Sequence, residues 1–497
     1  MNIYLVNAIP VAAAAVAALL AVNWVYFKIL RIAKEKGLVD NPDARKLQKV
    51  PIPVMGGIAV FFGIAFGLLA GYTAGGIAGA QFGTLMMPVL AAMVVMLYTG
   101  AMDDIMGLTP KARFAIEILT MLGLIFASGN CIDTFHGMWG VERFSWWIAV
   151  PLTVFAGVGV INAVNMIDGV NGLSSTMSML CCGIYGLLFV RAGDVANAVL
   201  AFSTAAALLP FMAHNIFGLR SRMFVGDAGT MVMGLLLTWF TICLLHSDSP
   251  IAYYNAADGV NMIAFAVAVL SVPVFDTLRV MAMRMMKGKS PFHPDKTHLH
   301  HVFVNVGVSH FITAMTEVLI MLVVVGVWGL SVELGLGLDW QLYAVLAAAV
   351  LLVWGTYWII NYNIKHHTEF LHWLTKFSVR THLGRTEWWK RFTDWLDRPE
   401  DRLQEAIEAA AASSAASAVS AVSEEEPIDP ENMKEQDRRK ILDFMKGRAE
   451  VMVSDIMQNS GAERLRVYTI LFEEEQKGRV KVVRESAMGA PEIVSLV

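Results

Sequence analysis

The sequence predicts an all-α polytopic membrane protein, a bundle of about eleven transmembrane helices followed by a small cytoplasmic α+β domain. Three observations predict it. Of 497 residues, 56% are hydrophobic, and the mean hydropathy is +0.56. Only 16% are charged, against about 25% in soluble domains, which excludes a soluble globular protein of this length. Apolar runs long enough to cross a bilayer as helices recur along the chain. They lie near 5–28, 54–73, 84–102, 112–130, 145–162, 173–191, 195–213, 228–246, 259–281, 312–332 and 340–360.

The first run is too long for the core of a signal peptide and has no basic stretch before it, so it reads as a retained span. The loop that follows holds Lys28, Arg31, Lys34, Lys36, Arg45, Lys46 and Lys49. Later loops on the same side add Lys111, Arg113, Arg220, Arg222, Arg279, Arg284, Lys287, Lys289 and Lys296, whereas the opposite side shows Arg143 and Arg191. Because basic loops stay in the cytoplasm, the amino terminus is expected outside and the carboxyl terminus inside. The net charge of -4 averages unlike regions and says little about partners. Cys131, Cys181, Cys182 and Cys243 show no metal-ligand spacing, and three of them lie in apolar runs, as small buried hydrophobes do.

Past Tyr362 the character changes. Trp373, Phe377, Trp388, Trp389 and Trp395 mix with Lys376, Arg380, Arg385, Lys390 and Arg391. That mixture suits helices in the headgroup layer of the lipid bilayer, or aromatics packed on the bundle or on a second subunit of a homodimer. An alanine- and serine-rich stretch then fades into a linker ending near Glu424-Glu-Glu-Pro427. The expected organisation is a membrane domain over 1–361, interfacial helices and linker over 362–427, and a compact domain over 428–497. In the last of these, helices near 431–447, 451–458 and 462–476 precede strands near 479–484 and 492–496, an order that resembles a winged helix. The segment is not notably basic, and no nucleic-acid partner is expected.

Against this oily background, acidic motifs stand at predicted span ends. They are Asp103-Asp104, Asn162-Ala-Val-Asn165-Met-Ile-Asp168-Gly169-Val-Asn171-Gly172, Phe224-Val-Gly226-Asp227-Ala-Gly229-Thr230 and Pro273-Val-Phe-Asp276. The positive-inside rule puts all four, and the Pro294-Asp-Lys-Thr-His-Leu-His-His301 cluster, on the cytoplasmic side. Carboxylates are costly beside hydrocarbon, so their gathering on one face points to a site. The task that suits them is holding a divalent cation against phosphates.

The adjacent pair Asp103 and Asp104 repels itself unless a cation is near; the plain alternative is a solvated helix end. In the Asn-rich motif, helical spacing puts Asn162 and Asn165 on one face, and Gly169 and Gly172 admit a close approach by backbone or phosphate. Asp227 alone would be an ordinary helix cap; among the other clusters, metal ligation is preferred. His298, His300 and His301 match no common zinc spacing. They suit phosphate binding beside Lys296, proton donation, or a solvated interfacial role. Arg45 and Lys46, before the Pro51-Ile-Pro53-Val-Met-Gly56-Gly57 turn, serve topology or meet phosphate.

Taken in order, Pro51-Ile-Pro-x-x-Gly-Gly57, Asp103-Asp104, Asn162 to Gly172, Gly226-Asp-Ala-Gly-Thr230 and His298-x-His-His301 resemble the polyprenyl-phosphate N-acetylhexosamine-1-phosphate transferases. The resemblance covers about residues 1–360. It implies an enzyme of the bacterial inner membrane with a cytoplasmic active site. Such an enzyme transfers N-acetylhexosamine-1-phosphate from a UDP-sugar to undecaprenyl phosphate, with release of UMP. It further implies Mg2+ (Mn2+ as a substitute) on Asp227 with Asp104, and Asp103 and Asp104 at the reacting phosphates. Asn165 and Asp168 would shape the nucleotide-sugar site together with Asn162, Asn171 and Gly226. His298, His300 and His301 would contact phosphate or sugar, and Phe224 would stack on uracil. Two departures stand out: Asp103-Asp-Ile-Met-Gly107 lacks a third carboxylate or a lysine seen in many relatives, and Thr230 replaces a serine. Pro51-Ile-Pro and His298-Leu-His-His301-Val-Phe set the chain apart from the branch that transfers phospho-N-acetylmuramoyl-pentapeptide, the alternative substrate. They resemble the branch that starts surface polysaccharides, with UDP-N-acetylglucosamine the leading donor. A transporter lined with acids is the competing class; its carboxylates would sit near mid-membrane.

Overall fold

The computed structural model describes residues 3–40, 51–75, 80–249, 251, 259–292, 295–366, 368–380, 386–399, 430–485 and 491–497. Contacts divide the chain into two compact units, Met1–Arg402 and Leu403–Val497.

In the first unit the helices are α1 (Ile3–Glu35), α2 (Gly56–Gly75), α3 (Ala80–Met106), α4 (Pro110–Ser128), α5 (Trp146–Met166), α6 (Leu173–Ala192) and α7 (Val195–Phe217). They continue as α8 (Gly226–Leu244), α9 (Met262–Val269), α10 (Ser271–Met286), α11 (Leu299–Asn305) and α12 (His310–Glu333). α13 runs from Leu338 to His366 through a widened turn at Val350–Trp354. Two further helices, α14 (Glu369–Arg380) and α15 (387–399), close the unit. Short strands β1 (Val39–Asp40) and β2 (Ile52–Pro53) pair antiparallel before α2.

Among the described residues, nine helices are long and apolar enough to cross a membrane, and the bent pair α9–α10 makes up to ten. α4 has 19 residues and spanning length, but it carries Lys111, Arg113 and Glu117; with it, the eleven anticipated segments are all helical. One differs in form. Residues 259–281, expected as one span, lie in two helices bent by 74°. Pro273 explains the break, since it has no N–H to offer the Val269 carbonyl and its ring crowds that oxygen. The Cys181 thiol donates to that carbonyl instead, at 3.4 Å.

The bundle is organised around α8. Over its span 94% of residues are buried, against 28–61% for the other spans. A helix apolar all round belongs in the middle, and α2, α3, α5 and α6 surround it. The outer helices turn Leu20, Trp24, Leu69, Phe126, Phe155, Leu187 and Leu351 outward, as a lipid-facing surface requires. Because α8 is central, its amino-terminal end is where loops from several neighbours can converge.

The aromatic segment after α13 is seated on this unit. Trp389 and Phe392 of α15 pack edge-on against Phe217 at the end of α7, while Trp373, Trp388 and Trp395 remain exposed.

The second unit is built from α16 (Pro430–Met445), β3 (Val451–Met452), α17 (Val453–Ser460), α18 (Arg464–Gln476), β4 (Val480–Glu485) and β5 (Pro491–Leu496). Its antiparallel sheet has the order β3-β5-β4. Ile441, Met445, Ile456, Val467, Ile470 and Val494 form a separate core.

A carboxylate-lined cavity at the head of the central helix

The site grows from the turn into α8. Phe224 N–H donates to the Pro53 carbonyl (2.8 Å), Gly56 N–H to the Phe224 carbonyl (3.0 Å) and Gly57 N–H to the Val225 carbonyl (2.8 Å). The Pro51-to-Gly57 motif is therefore a short backbone splice onto the strand-like entry to α8. It requires glycine: a Cβ on Gly57 would stand 2.2 Å from the Gly229 nitrogen. Gly226 has a φ of +69°, open to glycine, and a Cβ there would meet the Asp104 carboxylate at 2.5 Å.

Asp104 then closes the helix end from outside. Its two oxygens accept the N–H groups of Asp227 (2.9 Å) and Ala228 (3.2 Å), satisfying donors that the first turn leaves unpaired. The cap of α8 is thus borrowed from α3. Asp227, placed in the first turn rather than at the cap position, is free to point its carboxylate toward the cavity. Asn165 donates to it and to Thr230 Oγ1, the latter at 2.7 Å.

Asp103, next to Asp104, borders the same cavity through other partners. Its Oδ1 accepts the Leu108 N–H (2.7 Å), and its Oδ2 accepts from Arg113 Nη1 (3.2 Å). The same Nη1 stands 3.6 Å from Asp227, while Arg113 Nε donates to the buried Glu117 at 3.1 Å. One guanidinium is shared among three carboxylates. Sequence reading assigned Arg113 only to topology and passed over Glu117. The available signals were their i,i+4 spacing and the Thr109-Pro110 helix start that turns α4 back toward α3.

These groups border a cavity of about 590 Å³. Asp103, Asp104, Asp168, Asn171, Phe224, Gly226, Asp227 and His301 line it, with Val39 and Asp40. Asp168 receives the Ser174 hydroxyl. Burial pushes the Asp168 carboxyl up to about 7, and the Asp227 charge adds to that, against the opposing hydrogen bond from Ser174.

Other residues anticipated for the site lie off this lining. Asn162, one turn from Asn165, donates to Glu117 and steadies the Arg113 network. His298 is buried, and its Nδ1 pairs with Asp276 at 2.8 Å. Asp276 also accepts from Arg279 (2.6 Å) and from Leu299 N–H, so the fourth acidic motif anchors the start of α11 and is not a fourth wall of the cavity. His300 is fully buried beneath Gly169, where a Cβ would lie 2.3 Å from its Nε2, and neither ring nitrogen has a protein partner among the described residues. Burial holds His300 well below the usual imidazole range. Of the three histidines only His301 reaches the cavity, and burial keeps it neutral, near 4. Lys296 is exposed and absent from the lining. Arg45 and Lys46 lie outside the described residues.

At the other end of α8, Cys131, Asp133 and His246 are the one trio among the described residues whose ligand atoms already lie within 4.8 Å of one another. There Asp133 is taken up by Ser247 N–H (2.7 Å), Ser247 hydroxyl (2.8 Å) and Arg143 (3.2 Å). Those bonds make it a staple between loops.

A spanning helix bundle with an acidic cavity of about 590 Å³ at one end suits a class of membrane enzyme acting where lipid meets water. Comparison places the chain within that class. The profile of glycosyl transferase family 4 matches residues 86–245. The undecaprenyl-phosphate α-N-acetylglucosaminyl 1-phosphate transferase of Escherichia coli K12 is 30% identical over 288 residues, 56% of this chain and 72% of that protein. Its Yersinia pestis counterpart is 28% identical over 308 residues, 60% of this chain and 80% of that one. A probable undecaprenyl-phosphate N-acetylglucosaminyl 1-phosphate transferase of Bacillus subtilis is 28% identical over 293 residues, 59% and 76% of the two chains. The chain belongs to glycosyl transferase family 4, among the polyprenyl-phosphate sugar-1-phosphate transferases.

Proposed function

We propose that this protein transfers N-acetylglucosamine-1-phosphate from UDP-N-acetylglucosamine to undecaprenyl phosphate, using Mg2+, on the cytoplasmic side of a bacterial inner membrane. One observation carries the reading: Asp103, Asp104, Asp168 and Asp227, distant in sequence, border a single cavity at the head of α8. The names of the relatives support the lipid acceptor and the sugar phosphate. The basic loops support the orientation.

The donor set fits a magnesium ion. It is all oxygen, and its carboxylates outnumber the one guanidinium that Glu117 already shares. Magnesium is commonly held by one or two carboxylates and completes its shell with water and phosphate oxygens, so no tight cage is needed. Asp227 would hold it, assisted by Asp104 through lone pairs not engaged by α8. Bound there, it would neutralise pyrophosphate charge as the bond to UMP breaks.

The balance of atoms is simple. An oxygen of the lipid phosphate attacks the sugar-bearing phosphorus, the bond from that phosphorus to the bridging oxygen of UMP breaks, and UMP departs with that oxygen. Asn171 and Phe224, on the cavity wall, are placed to take the nucleotide sugar. His301, neutral at pH 7, offers a hydrogen bond to sugar or phosphate. Carboxylates at a helix end, away from mid-span, weigh against the transporter reading.

The test is release of UMP from a panel of UDP-sugars by membranes holding the protein, with and without undecaprenyl phosphate and magnesium. Release that requires all three components, and is fastest with UDP-N-acetylglucosamine, is expected. Lipid-independent release, or none from any UDP-hexosamine, refutes the proposal.

A further inference from the structure

The cavity does not end with the residues that line it. The loop from α7 to α8, residues 218–225, delivers Phe224 and sets the entry to Asp227, and its first half is held by a residue from the far tail. Asp397 in α15 is buried, and its carboxylate sits in a nest of three consecutive backbone donors. Its Oδ2 accepts from Leu219 N–H (3.0 Å) and Arg220 N–H (3.1 Å), and its Oδ1 from Ser221 N–H (3.1 Å) and the Ser221 hydroxyl (2.6 Å).

From there the connection to the cavity is continuous. The Ser221 carbonyl accepts the Tyr26 hydroxyl (2.7 Å), the Ser221 hydroxyl meets His214 Nδ1 (3.1 Å), and Asn215 donates to the Met223 carbonyl (2.7 Å). Phe224 follows, spliced to Pro53 and Gly56. A second contact reaches the opposite wall. The Ser378 hydroxyl of α14 accepts Ser309 N–H (2.8 Å), and the adjacent His310 accepts Asn171 N–H (3.2 Å). The tail thus touches the 218–225 loop directly and reaches the Asn171 loop through Ser309 and His310, and the contacts of Phe217 with Trp389 and Phe392 hold it down.

We propose that α14 and α15 are a brace for the donor-binding half of the site, and that Asp397 is a positioning residue for Phe224 and the start of α8. The inference rests on the transferase reading for what the braced loop binds, but the brace itself is a statement about this loop. An exposed tail helix would explain aromatics on a surface; it would not explain a buried carboxylate spending all its bonds on one loop.

The experiment uses the full chain in detergent and compares Asp397→Asn, Asp397→Ala and Asp397→Glu with the parent. Hydrogen exchange is read at the amides of 219–221 and 223–227, and KM is measured for the UDP-sugar and for undecaprenyl phosphate. In Asp397→Ala, both amide groups should lose protection. KM for the UDP-sugar should rise about ten-fold, the scale of losing charge-assisted hydrogen bonds at a loop that supports a binding surface. KM for the lipid and kcat should move less than three-fold. Asp397→Asn should fall between, and Asp397→Glu should recover part of the donor affinity. Loss of protection confined to 219–221, with both KM values at parent level, overturns the proposal. So does a uniform fall in kcat with no KM split, the mark of a fold lesion. If the parent turns over no UDP-sugar, the function reading fails separately, and the exchange at 223–227 still decides the brace.

Discussion

Asp104→Asn probes the joint between α3 and α8, on which the whole cavity depends. Each carboxylate oxygen accepts one N–H from the first turn of α8, at 2.9 and 3.2 Å. A carboxamide keeps one acceptor and turns an NH2 toward the other donor, so one bond is lost outright. A charge-assisted hydrogen bond contributes about 1.5–3 kcal/mol, and the negative charge at a helix start adds about 0.3–1 kcal/mol. The expected destabilisation is therefore about 2–4 kcal/mol, read as a lower midpoint of thermal unfolding in detergent. Turnover suffers as well, since Gly226 and Asp227 move with the helix end. A displacement near 1 Å in a positioned group costs on the order of a hundred-fold in rate. UMP release should fall by about that factor, and added magnesium should not restore it, because the defect is one of placement. Two results would refute the reasoning: a parent-like unfolding midpoint, or full recovery of turnover at higher magnesium, which would make Asp104 a ligand only.

Three more outcomes are expected. Gly57→Ala puts a Cβ 2.2 Å from backbone that cannot swing away, so it should lose about 1–3 kcal/mol of stability and most of its UMP release, while Gly123→Ala, with nothing within 4 Å, should match the parent in both. Arg113→Ala leaves Glu117 buried without its cation and should cost about 3–5 kcal/mol; the double change with Glu117→Gln should melt higher than Arg113→Ala alone, and a lower midpoint would contradict the shared-guanidinium account. His301 is held near 4, below its unfolded value of about 6.5, so between those limits the unfolded chain binds more protons. Its contribution should be intact above pH 6.5 and lost as pH falls toward 4, and His301→Gln should show a shallower loss of melting midpoint over that window; an unchanged slope would remove His301 as its source.

The tail shows where sequence reading left a choice open. Aromatic and basic residues after Tyr362 fit a headgroup helix, a packed helix or a subunit contact equally well. Nothing local distinguishes Asp397 from Asp394 three residues earlier; the nest at 219–221 that singles it out lies about 180 residues away in the chain. Histidines gave a similar ambiguity. Their spacing put three at one place, but only the packing of His300 under Gly169 and of His298 on Asp276 leaves His301 alone on the cavity. The bend at 259–281 was readable from Pro273, although its 74° was not.

Hydropathy was enough to establish the helical membrane class and where the apolar segments lie, because burial in lipid is a property each segment meets by itself; it counted eleven spans where nine or ten helices meet the requirement among the described residues. The motifs pointed to a shared site, since carboxylates, glycines and asparagines do not accumulate beside hydrocarbon without use, and Asp103, Asp104, Asp168 and Asp227 do border one cavity. Only the tertiary structure decided which polar groups share a partner: Asp104 with the head of α8, Arg113 with three acids, Asp397 with the 218–225 loop. Those choices depend on distances between segments far apart in the chain, and a hydrogen bond or an ion pair is decided within an ångström that composition and spacing do not encode.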